Sequence, residues 1–256
     1  RNVLLECQAV IGGSAALRYL NPSAPLPVDY DLYVSSQRVQ QVLRYLLETE
    51  EYVIASDVHL RDDFVHRPKS GVDFWAYTAG ASRIIRLRRS DINIDIIVSG
   101  VRCDLDCPTV PIACSWTSLL MNYVCYNGFV CAYPTLTMRG LGLIQWDRVL
   151  HPSFPQGTDP LPLNTYMRRG FEFCQYAHEW DLDKKGRIRK CRSSWVCPVR
   201  ERSFGDRGSL SLFFDGERAE FVGCGTVWMF GGRPCPYTCA EVFPQCPSVH
   251  VVRRRR

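Results

Sequence analysis

The chain has 256 residues, 46% hydrophobic and 22% charged, the make-up of a globular protein with a sizeable core and length for one large domain or two small ones. No uninterrupted apolar run approaches the roughly 20 residues that span a bilayer, and the opening Arg-Asn-Val-Leu-Leu-Glu-Cys lacks the apolar stretch of a secretory signal, so no membrane partner and an intracellular location, cytoplasmic or nuclear, are expected. The net charge of +5 comes from 31 basic and 26 acidic residues, and Arg253, Arg254, Arg255 and Arg256 supply four of the positive charges, so the near-neutral body carries no whole-surface footprint for nucleic acid.

In chain order, Ala9-Val10-Ile11 reads as the end of an apolar element, Gly12-Gly13-Ser14 as a turn, and Ala15 to Leu20 as a short helix stopped by Asn21-Pro22. Val28-Asp-Tyr-Asp-Leu-Tyr-Val34 follows as a strand. Ser36 can cap a helix through about Glu48, with Val39, Val42, Leu43, Leu46 and Leu47 on one apolar face. A polar loop with His59, Asp62, Asp63 and His66 leads to two strands, Arg83 to Arg89 and Asp91 to Ser99, around a tight Ser90-Asp91 junction. Strand, helix, strand, strand is an α/β pattern.

Beyond residue 101 the pattern predicts helices over Ser115 to Asn127, after Pro134, and from about Leu163 to His178. From Lys184 onward Gly, Pro, Cys and basic residues dominate, interrupted by strand-like Ser209 to Phe214 and Thr226 to Phe230, which reads as an irregular β-rich cap. The expected organisation is a core over residues 1–100 and a helical and β-rich region over 101–256 packed on it.

Asp29 and Asp31 are one residue apart on a strand, so both carboxylates project from the same face. Two like charges side by side repel, and a hard divalent cation such as Mg²⁺ or Mn²⁺ would relieve the repulsion. The alternative is an exposed strand-edge pair. Gly13 and Ser14 stand at the start of a helix, where backbone N–H groups and the Ser14 hydroxyl could hold a phosphate; the plainer alternative is a loop with a helix cap. Asp95 sits inside the apolar run Ile92-Asn-Ile-Asp-Ile-Ile-Val98, where a buried carboxylate needs a cation or a strong partner; Arg86 or Arg88 on the preceding strand could supply the latter.

The order Gly13-Ser14, Asp29-Tyr30-Asp31, then Asp95 in an apolar strand resembles the nucleotidyltransferase superfamily that includes polymerase-β-like enzymes, among them members found in fungi. The resemblance covers about residues 9 to 99. It implies a small mixed sheet flanked by helices, and transfer of a nucleoside monophosphate from an NTP to a hydroxyl acceptor that the motifs do not name. By position, Gly13 and Ser14 would contact phosphates with Arg86 and Arg88 nearby, Asp29 and Asp31 would hold Mg²⁺ or Mn²⁺, and Asp95 would share a metal and sit near the attacking hydroxyl. The other reading is a nucleotide sensor or protein-binding scaffold that keeps the fold without catalysis. A third, nucleic-acid binding through Arg83 to Arg89 and the Arg tail, is disfavoured by the near-neutral body.

The 13 cysteines are expected to be mostly reduced, with Cys125 and Cys131 in the core. Cys191, Cys197, Cys235 and Cys239 could hold a structural Zn²⁺, although scattered thiols are the plainer reading and Cys246 is equally available. Cys103 and Cys107 have no His close by. His59 and His66 are expected to face solvent, and Arg168 and Arg169 are weaker candidates for phosphate binding.

Overall fold

Alternating apolar and polar residues at Asp29–Val34, Ala81–Arg89 and Ile92–Ser99 give these segments one face for a core and one for chemistry, and they form strands β2, β4 and β5. The computed structural model describes residues 2–22, 24, 26–60, 80–100, 106–145, 149, 162–180, 194–214, 221–231 and 248–251. Ahead of β2 lie α1 (Asn2–Glu6), β1 (Val10–Ile11) and α2 (Gly13–Leu20); between β2 and β4 lie α3 (Val39–Arg44), a π turn (Tyr45–Thr49) and β3 (Val53–His59). After β5 come α4 (Val110–Ala113), β6 (Asn122–Cys125), β7 (Gly128–Cys131), α5 (Pro134–Thr137), β8 (Leu141–Leu143), α6 (Pro162–Arg168) and β9 (Glu172–Cys174). Four later strands follow: β10 (Glu201–Ser203), β11 (Leu210–Phe213), β12 (Thr226–Met229) and β13 (Ser248–Val251).

Eight strands form one sheet in the order β11-β7-β6-β1-β2-β5-β4-β3, so strands from both sides of residue 101 share it. Its neighbours are antiparallel except β2 and β5, which run parallel. The architecture is a mixed α/β fold with a mostly antiparallel sheet and few helices. Two smaller sheets, β10-β12-β13 and β8-β9, complete the described strands.

The rear face of β2, β4 and β5 carries Leu32, Val34, Ile85, Leu87, Ile96 and Val98, which pack with Leu4, Val39, Val42, Leu43 and Leu46 from the helices. The apolar face expected of α3 is therefore buried, but the helix begins at Val39 with Arg38 as its cap. Ser36 instead lies in the preceding turn, where its N–H donates to Asp106 Oδ1 at 2.6 Å. A second core joins Tyr123, Cys125 and Val130 to Phe204, Trp228 and Phe230, with the Phe204 and Trp228 rings 4.4 Å apart, and Cys131 is fully buried as well.

Three expected elements differ from the structure. Residues 115–127 do not form one helix: a short 3₁₀ turn over Ser118–Leu120 gives way to the hairpin β6–β7, whose register closes a two-residue turn at Tyr126-Asn127. Asn127, followed by Gly128, is the local turn signal that the Leu119, Leu120 and Tyr123 spacing obscured. The helix expected from Leu163 to His178 ends at Arg168, because Gly170 takes a φ of +86° and β9 follows. Strand β3 replaces part of the expected polar loop, and His59 is its last residue. All seven of its residues are exposed, so burial imposed no alternation on them, and backbone pairing to β4 holds this sheet edge.

The front of the sheet is anchored by Asp106, which accepts from Ser36 N–H and from the Ser99 hydroxyl at 2.8 Å and so ties the end of β5 to the turn after β2. Ser99 is fully buried. Ser99→Ala should lower stability by about 1 kcal/mol, read as a reduced Tm; an unchanged Tm would show that this tie contributes nothing.

Candidate functional site

The parallel pairing of β2 with β5 sets Asp31 beside Asp95 and Asp29 beside Asn93, while the antiparallel pairing of β4 with β5 sets Arg86 beside Asp95 and Arg88 beside Asn93. Paired residues share a sheet face. Two rungs therefore cross the front of three adjacent strands, Asp31-Asp95-Arg86 and Asp29-Asn93-Arg88. The same-face expectation for Asp29 and Asp31 extends to Asp95 through a pairing between strands some sixty residues apart in sequence.

Helix α2 approaches this face by its N-terminus. Gly12 precedes it without a side-chain cap, and Gly12 N–H donates to the Asp31 carbonyl at 3.0 Å, pinning the turn to β2. Gly13 takes a φ of +60°, and a Cβ placed on it would lie 1.7 Å from Asp31 Oδ2. Only glycine lets the backbone come this close to the carboxylate. Ser14 is the second residue of the helix and is half-buried. The Gly13-Ser14 turn and the Asp29-Tyr30-Asp31 strand thus meet at Asp31.

The Asp31 carboxyl is pushed up to about 7, chiefly by burial and then by the Asp29 and Asp95 charges, with the Arg86 guanidinium opposing them. Asp95 is 8% exposed and is gripped by Arg86, whose Nε donates to Oδ1 at 2.7 Å and whose Nη2 donates to Oδ2 at 2.5 Å. Of the two guanidinium partners open to Asp95 in the sequence, Arg86 is the one used. This bidentate contact, together with the Asp95 charge, raises the Arg86 pKa. Arg88 is exposed and donates from Nε to the Ser90 carbonyl at 3.2 Å. Asn93, half-buried beside Asp29, was given no role by the sequence reading; the cue lies in its place two residues before Asp95, on the same strand face.

The donor set fits a hard divalent cation in part. Asp29 and Asp31 are partly exposed carboxylates on one face, and the missing Gly13 side chain leaves room beside Asp31. Asp95 is occupied by Arg86, and among the described residues no three His, Cys, Asp or Glu side chains gather into a metal-holding group.

The remaining candidates sit elsewhere. Arg83 pairs with Asp57, and Arg89 bonds Glu50 and lies 4.6 Å from the Tyr52 ring centroid, so with Arg86 three of the four arginines of β4 are matched to carboxylates. His59 is largely exposed, 3.9 Å from Asp57 Oδ1. Arg169 lies over Tyr166, which packs with Trp116 and Phe173, and Arg168 is exposed at the end of α6. Of the proposed zinc ligands, Cys197 is buried, while Cys191, Cys235 and Cys239 lie outside the described residues, as do Cys246, Cys103, His66 and the Arg tail. Cys107 Sγ lies 3.3 Å from Thr109 Oγ1. Cys7, Cys107, Cys125, Cys131 and Cys174 are in no disulfide. No described helix is long and apolar enough to cross a membrane. Compared with protein-family models, curated proteins and solved structures, the chain matches none.

Proposed function

We propose that the protein is a metal-dependent nucleotidyltransferase that moves a nucleoside monophosphate from an NTP to a hydroxyl acceptor. The observation that carries this reading is the placement of Asp29, Asp31 and Asp95 on one face of two parallel strands, with the Gly13-Ser14 helix start set against Asp31. The finer fold reading, a small mixed sheet of the nucleotidyltransferase type, is supported by the order β1, glycine turn, α2, β2 and by the single parallel pair β2/β5.

Divalent cations bound here would neutralise the triphosphate and polarise the phosphorus under attack. Asp29 and Asp31 would hold them through hard oxygens. The α2 N-terminus and Ser14 would orient phosphate oxygens, which suits the positive end of a helix dipole. Asp95 would accept the proton of the acceptor hydroxyl as its oxygen bonds to the α-phosphorus and pyrophosphate leaves, so the carboxylate must first be free of Arg86.

Labelled NTPs with Mg²⁺ or Mn²⁺, screened against small-molecule, RNA and protein acceptors, test the proposal. Failure to bind any NTP with either metal would sink it. Asp95→Asn should leave nucleotide affinity within about threefold of the parent while transfer falls about 10²-fold, because the loss falls on proton transfer in the transition state. Equal losses in affinity and turnover would remove the proton-acceptor role.

One observation favours a second reading, a nucleotide sensor or scaffold without turnover: the Arg86 guanidinium already neutralises the third carboxylate. NTP binding with no pyrophosphate release across the acceptor screen would establish that reading in place of the first.

A further inference from the structure

We infer that strand β3 is a docking edge for a second copy of this chain, the two copies pairing antiparallel about Val58 so that their sheets join into one. The inference stands apart from the nucleotidyltransferase reading, because it uses only the far edge of the sheet.

Strand β3 ends the eight-stranded sheet, with β4 on its inner side, and all seven of its residues are exposed. An edge strand offers another chain its unpaired N–H and C=O groups, and proteins blunt such edges with Lys, Pro or a bulge. Val53 to His59 contains no Lys, Arg or Pro. Its one carboxylate, Asp57, is turned back onto Arg83 of β4, whose Nε donates to Oδ1 at 2.7 Å. The register against β4 shifts between Ile54 and Ser56. That irregularity guards the first half of the edge and leaves Ser56 to Leu60 as its regular part, with Val58, 51% exposed, at the middle.

Main-chain direction fixes which of these residues can bond a second strand. Leu60 N–H donates to the Ser82 carbonyl at 2.9 Å, and Ser56 and Val58 stand opposite Arg86 and Ile84. Antiparallel alternation therefore points the main-chain groups of Ser56, Val58 and Leu60 at β4 and those of Asp57 and His59 away from it. The side chains of Asp57 and His59 share one sheet face, and Val58 lies on the other.

Only registers that respect both alternations can form, and charge chooses among them. Centring the pair on Asp57 would oppose two carboxylates, and centring it on His59 would oppose two imidazoles, each beside an Arg83. Centring it on Val58 sets Asp57 of each copy against His59 of the other. Each of these two pairs exchanges two main-chain hydrogen bonds, and the two Val58 side chains meet on the axis. The His59 imidazole already lies 3.9 Å from Asp57 Oδ1 within its own copy, so it stands on the side from which the second copy's carboxylate arrives. A two-fold axis through Val58 is perpendicular to the sheet and leaves the front faces of both copies on the same side.

Sedimentation equilibrium should show monomer passing to dimer between about 10 and 500 µM, the range of a small transient contact. Val58→Lys should weaken the dimer at least about tenfold, because like charges then meet on the axis. Val53→Lys, equally open to solvent but before the register shift, should change it by less than about threefold. Val58→Cys reads the register directly: a non-hydrogen-bonded antiparallel pair has its Cα atoms about 4.5 Å apart, within reach of a disulfide. Mild oxidation should therefore link position 58 of one copy to position 58 of the other, identified by peptide mass spectrometry, whereas Val53→Cys should form no such link. A chain that stays monomeric at about 500 µM would overturn the inference. So would a dimer that Val58→Lys and Val53→Lys weaken equally, or one in which Val58→Cys fails to cross-link.

Discussion

With Asp31 replaced by Asn, the metal-free protein should melt at a higher temperature than the parent above pH 7, and Mg²⁺- or Mn²⁺-dependent nucleotide binding should be lost. The two effects have one cause. Burial, together with the Asp29 and Asp95 charges and against the opposing Arg86 guanidinium, raises the Asp31 carboxyl from the ordinary 3.8 to about 7. A carboxyl that holds its proton more tightly in the folded than in the unfolded chain makes stability fall as pH rises between those two values. The full penalty is then present above about pH 7 and absent below about pH 4. Asn carries no such charge, so its stabilisation should grow across that window to the order of 2–4 kcal/mol.

Metal binding requires the ionised carboxylate, so in the parent it should strengthen from pH 6 to pH 8 with release of about one proton. Transfer by Asp31→Asn should fall more than about 10³-fold at any pH. Thermal melts from pH 4 to pH 9, with and without Mg²⁺ and NTP, supply the check. A variant that loses stability above pH 7, or that keeps its metal-dependent nucleotide binding, would show that Asp31 is a structural acid and not a metal ligand.

Gly13→Ala is expected to be the most damaging change in the Gly12-Gly13-Ser14 turn. Its Cβ would lie 1.7 Å from Asp31 Oδ2 and 2.8 Å from Asp31 Cγ, and the backbone would have to hold an L-residue at a φ of +60°. The combined cost should be roughly 2–4 kcal/mol, the sum of left-handed strain and overpacking. Nucleotide affinity should also fall at least about tenfold, since relief comes only by moving the helix start or the carboxylate. Gly170→Ala provides the control: Gly170 has a φ of +86° and nothing within 4 Å of the added methyl, so only the strain of about 1 kcal/mol remains. Equal denaturant midpoints for the two variants would mean that the Gly13 contact with Asp31 has no energetic weight.

Local pattern made several parts of the site legible in the sequence. Side chains alternate along a strand, so Asp29-Tyr30-Asp31 placed both acids on one face; Gly12-Gly13-Ser14 marked the turn into α2; and a charge inside Ile92 to Val98 marked Asp95 as needing a partner. Each depends on neighbours within a few residues. The edge strand β3 and the β6–β7 hairpin were less legible, because the first buries no face and the second carries an apolar spacing that also suits a helix.

What the sequence by itself determined, then, is which residues carry charge, which segments alternate and where glycine opens the backbone, since these follow from side-chain chemistry and local sterics. The tertiary structure decided the rest: that β2 and β5 lie side by side and parallel, that Asp31 faces Asp95, that Arg86 and not Arg88 holds Asp95, and that Gly13 closes on Asp31. These are pairings between distant segments, and their register is set by burying Leu32, Val34, Ile85, Leu87, Ile96 and Val98 on the rear of the sheet. A slip of one residue would turn that apolar set to the front and the three acids into the core.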